Sequence, residues 1–140
     1  MDDEELRQIQ RNADLAIEQL GPISGLDFGL DEESVAWVEG FIERRRAQPG
    51  FDPDQAEGLV SVLGSYLGAC VAAGAGGHWQ WRDDGGWGVA LPDGSIAFPF
   101  TKVRKQLRDG LEGGESIASF YRVAVEFIAT GRMREARDGG

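Results

Sequence analysis

The residues able to do chemistry are few and scattered. His78 is the single histidine and Cys70 the single cysteine of the 140-residue chain. A histidine base needs an orienting carboxylate and a nucleophile within hydrogen-bond reach. Cys70 falls on the apolar arc of a helix, which predicts a buried, unreactive thiol. His78 alternates with Gln80 and Arg82 on one face of a strand, which predicts a surface or strand-edge position away from Cys70. One histidine and one thiol exclude a multi-histidine metal site, a thiolate zinc cluster and an internal disulfide. Asp83-Asp84 sits in a glycine-flanked turn, where aspartate favours local backbone hydrogen bonds. The D-x-[DN]-x-[DN]-G calcium loop is missing from the sequence. "GAGG" (74–77) follows a helix and precedes a strand, the reverse of a phosphate loop, and reads as a helix stop. The sequence assembles no catalytic set, no metal site and no cofactor motif.

Several helices must position these residues. Leu6, Ile9, Ala13, Ile17 and Leu20 give a first helix over 2–20, with Gly21-Pro22 as its expected stop. Asp31 is a good cap for a second helix, 32–47, whose stripe is Val35, Val38, Phe41, Ile42 and Arg45. Its "RRR" (44–46) falls in the last turn, where cations suit the helix dipole. Asp52, Pro53 and Gln55 look like a capping box for a third helix reaching about Ala73. Leu59, Val60, Val62, Leu63, Tyr66, Leu67, Cys70 and Val71 cover half that helix and mark it as central to the core. The opposite ridge holds Gly64 and Gly68, each costing about 1 kcal/mol relative to alanine, so close approach by another element is expected there.

Three short strands follow, at 78–82, 86–91 and 95–99, linked by "DDGG" and "PDG" as an antiparallel meander. Two rules disagree over the second turn. Pro-Asp-Gly favours a three-residue turn that sets Leu91 opposite Ser95. Hydrophobic matching favours an Asp93-Gly94 turn, with Leu91 opposite Ile96 and Val89 opposite Phe98. The second register gathers Trp79, Trp81, Trp87, Val89, Leu91, Ile96, Phe98 and Phe100 on one core face. It leaves Gly88, Ala90, Ser95 and Ala97, flanked by His78, Gln80 and Arg82, as a flat face on which a partner's backbone could settle. A helix over 101–110 puts Val103, Leu107 and Leu111 inward and Lys102, Arg104, Lys105 and Arg108 outward. The last helix runs from about Glu115 to Thr130, with Ile117, Phe120, Ala124, Phe127 and Ile128 inward, Gly131 as stop and a frayed tail over 132–140. The expected architecture is α+β in a single domain with its core in about 31–131: three N-terminal helices, a three-stranded antiparallel meander, and two C-terminal helices packed on the sheet.

Charge narrows the partners. The net charge is −10, and residues 1–60 carry 15 acidic and 5 basic side chains, so all of it resides there. Such a half repels phosphate backbones and suits a basic protein. An acidic N-terminus, "MDDEEL", is unlike a secretory signal, and no uninterrupted apolar run nears the ~18 residues of a membrane span. The expectation is a cytoplasmic protein that binds neither nucleic acid nor membrane, with homodimerisation through a strand edge or the first helix as a further option.

The run "GLVSVLGSYLGACV … GGHW … GWGVALPDGSIAFPFTKVRKQL" resembles a small bacterial family known only as a domain of unknown function. The shared features are an L-G-x-x-L-G helix, a tryptophan opening a strand, a G-x-A or G-x-x-L strand, and F-P-F before a basic helix. They fall on Leu63, Gly64, Leu67, Gly68, Trp79, Gly88, Leu91, Phe98, Pro99, Phe100 and Lys102, within about 58–111. Relatives often carry a glutamate after the second L-G, where this chain has Ala69. The resemblance implies a small α+β domain and no reaction. Together the observations favour a non-enzymatic protein-interaction module, by analogy of the immunity or antitoxin kind, using His78, Gln80, Arg82, Gly88, Ala90, Ser95 and Ala97. The alternative is a small-molecule binder or enzyme with a pocket between helix 53–73 and the sheet.

Overall fold

The computed structural model describes residues 3–128. In chain order the elements are α1 (Asp3–Ser24), α2 (Glu32–Arg46), a 3-10 turn (Pro53–Gln55), α3 (Glu57–Ala75), β1 (His78–Arg82), β2 (Gly86–Ala90), β3 (Ile96–Ala97), α4 (Pro99–Asp109), a second 3-10 turn (Leu111–Gly113), α5 (Ile117–Arg122) and a π-helical turn (Val123–Ile128). The three strands form one antiparallel sheet in the order β1-β2-β3. This is the expected α+β arrangement. The expected helix stop at Gly131 and the tail 132–140 lie outside the described residues, as do the side chains of Phe127 and Ile128.

Local signals set most boundaries, and two of them act differently from expectation. Asp31 caps α2 by accepting from the Ser34 amide at 2.8 Å. Gly21-Pro22 does not stop α1: the Ser24 hydroxyl donates to the Gly21 carbonyl at 2.8 Å and holds the last turn. Gly25, with φ of 72°, ends it instead. Asp52 caps the 3-10 turn Pro53–Gln55 by accepting from the Asp54 amide, and α3 starts one residue after that turn, at Glu57, with no side-chain cap. The capping box therefore starts a separate turn.

α3 is the axis of the core. Leu63, Tyr66, Leu67, Cys70 and Val71 are buried, as are Ile9, Ala13, Ala16 and Leu20 of α1 and Val35, Val38 and Ile42 of α2. The helix is also long and apolar enough to cross a membrane by length and composition, although no uninterrupted apolar run pointed to one. Its burial among the other elements accounts for that apolarity. Tyr66 ties in the loop before α2: its hydroxyl donates to the Gly29 carbonyl at 2.6 Å, and its ring stacks on Phe28 at 5.4 Å.

The ridge of α3 is where the sheet docks. A Cβ at Gly68 would collide with the far edge of the Trp79 indole, and one at Gly64 would collide with the Phe100 ring. Trp79 and Phe100 lie 5.7 Å apart, so two aromatic rings fill the notch the two glycines leave. The gain from packing those rings offsets the helix-propensity cost of the glycines.

A second anchor is polar. Gln106 is fully buried, donates to Glu43 at 3.0 Å and accepts from the Ile117 amide at 2.8 Å. Glu43 also accepts from Arg46 at 3.0 Å, and Arg46 donates to Glu112 at 3.2 Å and to the Leu107 carbonyl at 3.3 Å. Glu39 accepts from the Ser116 hydroxyl at 2.5 Å and from the Ala118 amide at 3.4 Å. Side chains of α2 and α4 thus satisfy the free amides that open α5.

Gly68→Ala should lower stability by about 1–3 kcal/mol although alanine is the better helix former, because the indole has to move. Gly58, whose Cβ would meet nothing within 4 Å, should do the opposite, with Gly58→Ala raising stability by about 0.5–1 kcal/mol. Urea denaturation of the two variants beside the parent chain checks both signs.

Candidate functional site

The site expected from sequence is a sheet face, and register decides its membership. The Leu91 amide donates to the Ser95 carbonyl at 2.9 Å, and Gly94 to the Leu91 carbonyl at 3.0 Å, closing a three-residue Pro92-Asp93-Gly94 turn. Val89 consequently faces Ala97, and Ala90 faces Ile96. The expected two-residue turn, with Leu91 opposite Ile96 and Val89 opposite Phe98, is therefore incorrect. The Pro-Asp-Gly preference prevails, and the slip moves Ile96 off the core face. The core face does not need every large side chain, because the notch in α3 takes two rings, those of Trp79 and Phe100.

β1 and β2 pair Trp79 with Val89 and Trp81 with Trp87, so these four share the side that packs on α3. Ala97 joins them and packs against the buried cluster. Trp81 and Trp87 meet edge to face at 5.9 Å at its margin. Trp81 donates to Asp83 at 3.1 Å, and Trp87 donates to Glu5 of α1 at 3.3 Å.

The other face carries His78, Gln80 and Arg82, all exposed, around Gly88 and Ala90. Ile96 and Phe98 belong to it too, both half-buried. Ile96 lies over Gly88 and Phe98 over Gly85, each so close that a Cβ there would clash. Five of the seven expected residues therefore stay together: His78, Gln80, Arg82, Gly88 and Ala90. Ser95 and Ala97 fall on the opposite side, where they line a groove of about 450 Å³ with Leu91, Lys102, Phe120 and Val123.

The pocket expected between the third helix and the sheet is occupied at its ridge by Trp79 and Phe100. A recess of about 240 Å³ opens further along, where Glu5, Gln8 and Asn12 of α1 face Ser61 and Trp87. The cations are largely engaged within the chain. Lys102 meets Glu115 at 2.6 Å and Arg104 meets Glu57 at 2.9 Å, while Arg44 and Arg45 lie over the rings of Trp37 and Phe41. The hydrogen bond from Lys102 holds the Glu115 carboxyl below its usual range, and that from Arg104 does the same for Glu57. Arg82 reaches Asp84 at 3.7 Å.

His78 and Cys70 cannot act together: the histidine is exposed on the open face, and the thiol is fully buried in α3. Burial pushes the Cys70 thiol up to about 12, and burial likewise raises the Tyr66 hydroxyl. Among the described residues, no three of His, Cys, Asp and Glu cluster as metal ligands would. Sequence reasoning passed over Gln106. The signal was available: a glutamine on the Val103–Leu107 stripe is polar where the pattern requires apolar.

A thiol reagent such as Ellman's should leave Cys70 untouched in the folded chain at pH 8 and titrate one thiol after denaturation. Rapid reaction in the folded state would contradict the buried placement. At acid pH the sign follows from Glu115, whose depressed folded value means its ion pair contributes above the unfolded value of about 4.3 and is lost as pH falls through the folded one. Glu115→Gln should therefore flatten the acid limb of a stability–pH curve.

No family model matches this chain, and no curated protein or solved structure does either.

Proposed function

We propose that this protein is a cytoplasmic, non-enzymatic interaction module that docks a basic protein partner on the open face of its sheet. The observation that carries this reading is the composition of that face. Ala90, Ile96 and Phe98 make an apolar centre over Gly88, and exposed His78, Gln80 and Arg82 form its rim. An apolar centre with a polar rim is the usual anatomy of a protein interface. Gly88 is buried beneath Ile96, so the surface a partner meets is Ile96, Phe98 and Ala90 and not the bare backbone expected at Gly88.

Charge supports a basic partner. The chain carries −10 overall, and Asp83 and Asp84 are exposed in the turn that borders the face. The acidic first turn of α1 reaches the sheet through Glu5 and Trp87. Such a field steers a cationic partner and raises its association rate. An immunity or antitoxin role against a basic toxin fits this chemistry by analogy.

A second reading rests on the groove of about 450 Å³, a volume typical of small-molecule sites. Its walls, Leu91, Ala97, Phe120 and Val123, are apolar, which would suit an apolar ligand. An apolar fluorophore that brightens with the parent chain but not with Ala124→Trp, which fills the groove, would favour this reading.

For the first reading, affinity capture from the source lysate should retain a basic protein on the parent chain and lose it on Ala90→Arg. Gln80→Asp, at an exposed position, serves as a second probe should Ala90→Arg fail to fold. An identical set of captured proteins on all three baits would remove the open face as the docking surface.

A further inference from the structure

The two edges of the sheet differ. β3 is two residues long, and the groove toward α5 lies beside it. β1 is five residues long, without proline, lysine or a bulge, the devices that usually guard an edge strand. Its one cation, Arg82, reaches Asp84 of the adjoining turn.

Hydrogen-bond parity shows what the β1 edge offers. The Leu91–Ser95 bond makes 91/95, and hence 89/97, hydrogen-bonded pairs. Main-chain groups of Val89 and Leu91 therefore point toward β3, and those of Gly88 and Ala90 point toward β1. Through the β1–β2 register, His78, Gln80 and Arg82 turn their N–H and C=O groups inward. Trp79 and Trp81 turn theirs outward, and none of the backbone hydrogen bonds outside the regular elements involves either residue.

We propose that this edge pairs with the same edge of a second copy, across a two-fold axis at Gln80, to join two sheets into one antiparallel sheet of six strands. The edge is self-complementary in this register. The axis sets Trp79 opposite Trp81 of the second copy as a hydrogen-bonded pair, and the symmetric pair repeats it, so all four outward N–H groups meet carbonyls. Gln80 faces Gln80 of the second copy as the close, non-bonded pair between them, and His78 faces Arg82 of the second copy. On the core side Trp81 packs beside Trp79 of the second copy, extending the aromatic row that runs through Trp87. The contact is isologous, as a closed dimer requires. It stands independently of the docking role of the open face, whose rim it would double.

The test uses the charge at the axis. Gln80 is exposed, so Gln80→Lys and Gln80→Glu should leave folding unchanged, which circular dichroism checks. Sedimentation equilibrium of the parent chain from micromolar to millimolar should show a monomer–dimer equilibrium. Either variant alone opposes like charges across the axis and should weaken it by about five- to tenfold. An equal mixture of the two should restore association as a heterodimer. Amide exchange should slow at Trp79 and Trp81 as the dimer forms. A parent chain monomeric throughout overturns the proposal and leaves the edge to a strand of another protein. A dimer indifferent to both charges, or a mixture that does not recover, also overturns it by placing the contact elsewhere.

Discussion

Two absent side chains on α3 hold the sheet in place. Gly64 and Gly68 leave a notch one helical turn long, and Phe100 and Trp79 fill it. A rigid ring seated against a helix backbone fixes both the height of β1 and the direction in which it faces. With Trp79 inward, alternation puts His78, Gln80 and Arg82 outward, and the β1–β2 register carries the same choice to Val89 inward and Ala90 outward. Phe100 then sets where α4 begins. The open face thus follows from packing on the other side of the sheet, and no residue on it need be strained to create it.

The polar anchor at α5 works by a different rule. Gln106 and Glu39 take up amides that the start of α5 would otherwise leave unpaired in a buried place. Arg46 folds over Gly110, where any Cβ would meet its guanidinium, and links Glu43 to Glu112. A network of this kind adds little net energy when intact, because each group loses water to join it. Its effect is on geometry, since breaking one member strands the others. It sets α5 against α2 and α4 and so defines the wall of the groove beside β3.

Much of the fold was legible in the sequence because the signals were local. Asp31 caps α2 as its type and place require, and the apolar arc of α3 is the buried one. The errors came where a local rule met a long-range one. Gly21-Pro22 looked like a stop, but a serine hydroxyl three residues on holds the turn. Hydrophobic matching placed Ile96 in the core, and the backbone preference of Pro92-Asp93-Gly94 overruled it. Five of the seven candidate residues survive that slip because they lie on β1 and β2, whose pairing does not depend on the second turn. Ser95 and Ala97 lie past it and move to the other face. The stripe of α4 marks Gln106 as a buried polar residue, but its partners are 63 and 11 residues away, and no periodicity identifies them.

Docking on the sheet requires that the face opposite Trp79 be open to solvent. Relaxation of a labelled sample by a soluble gadolinium chelate measures this residue by residue. His78, Gln80 and Arg82 side chains should relax strongly, with the Ile96 methyls next, while Val89, Leu67 and the Trp79 indole stay shielded. Uniform shielding of His78, Gln80 and Arg82 would mean that another part of the chain covers the face, and the account of this protein as a docking module would fail.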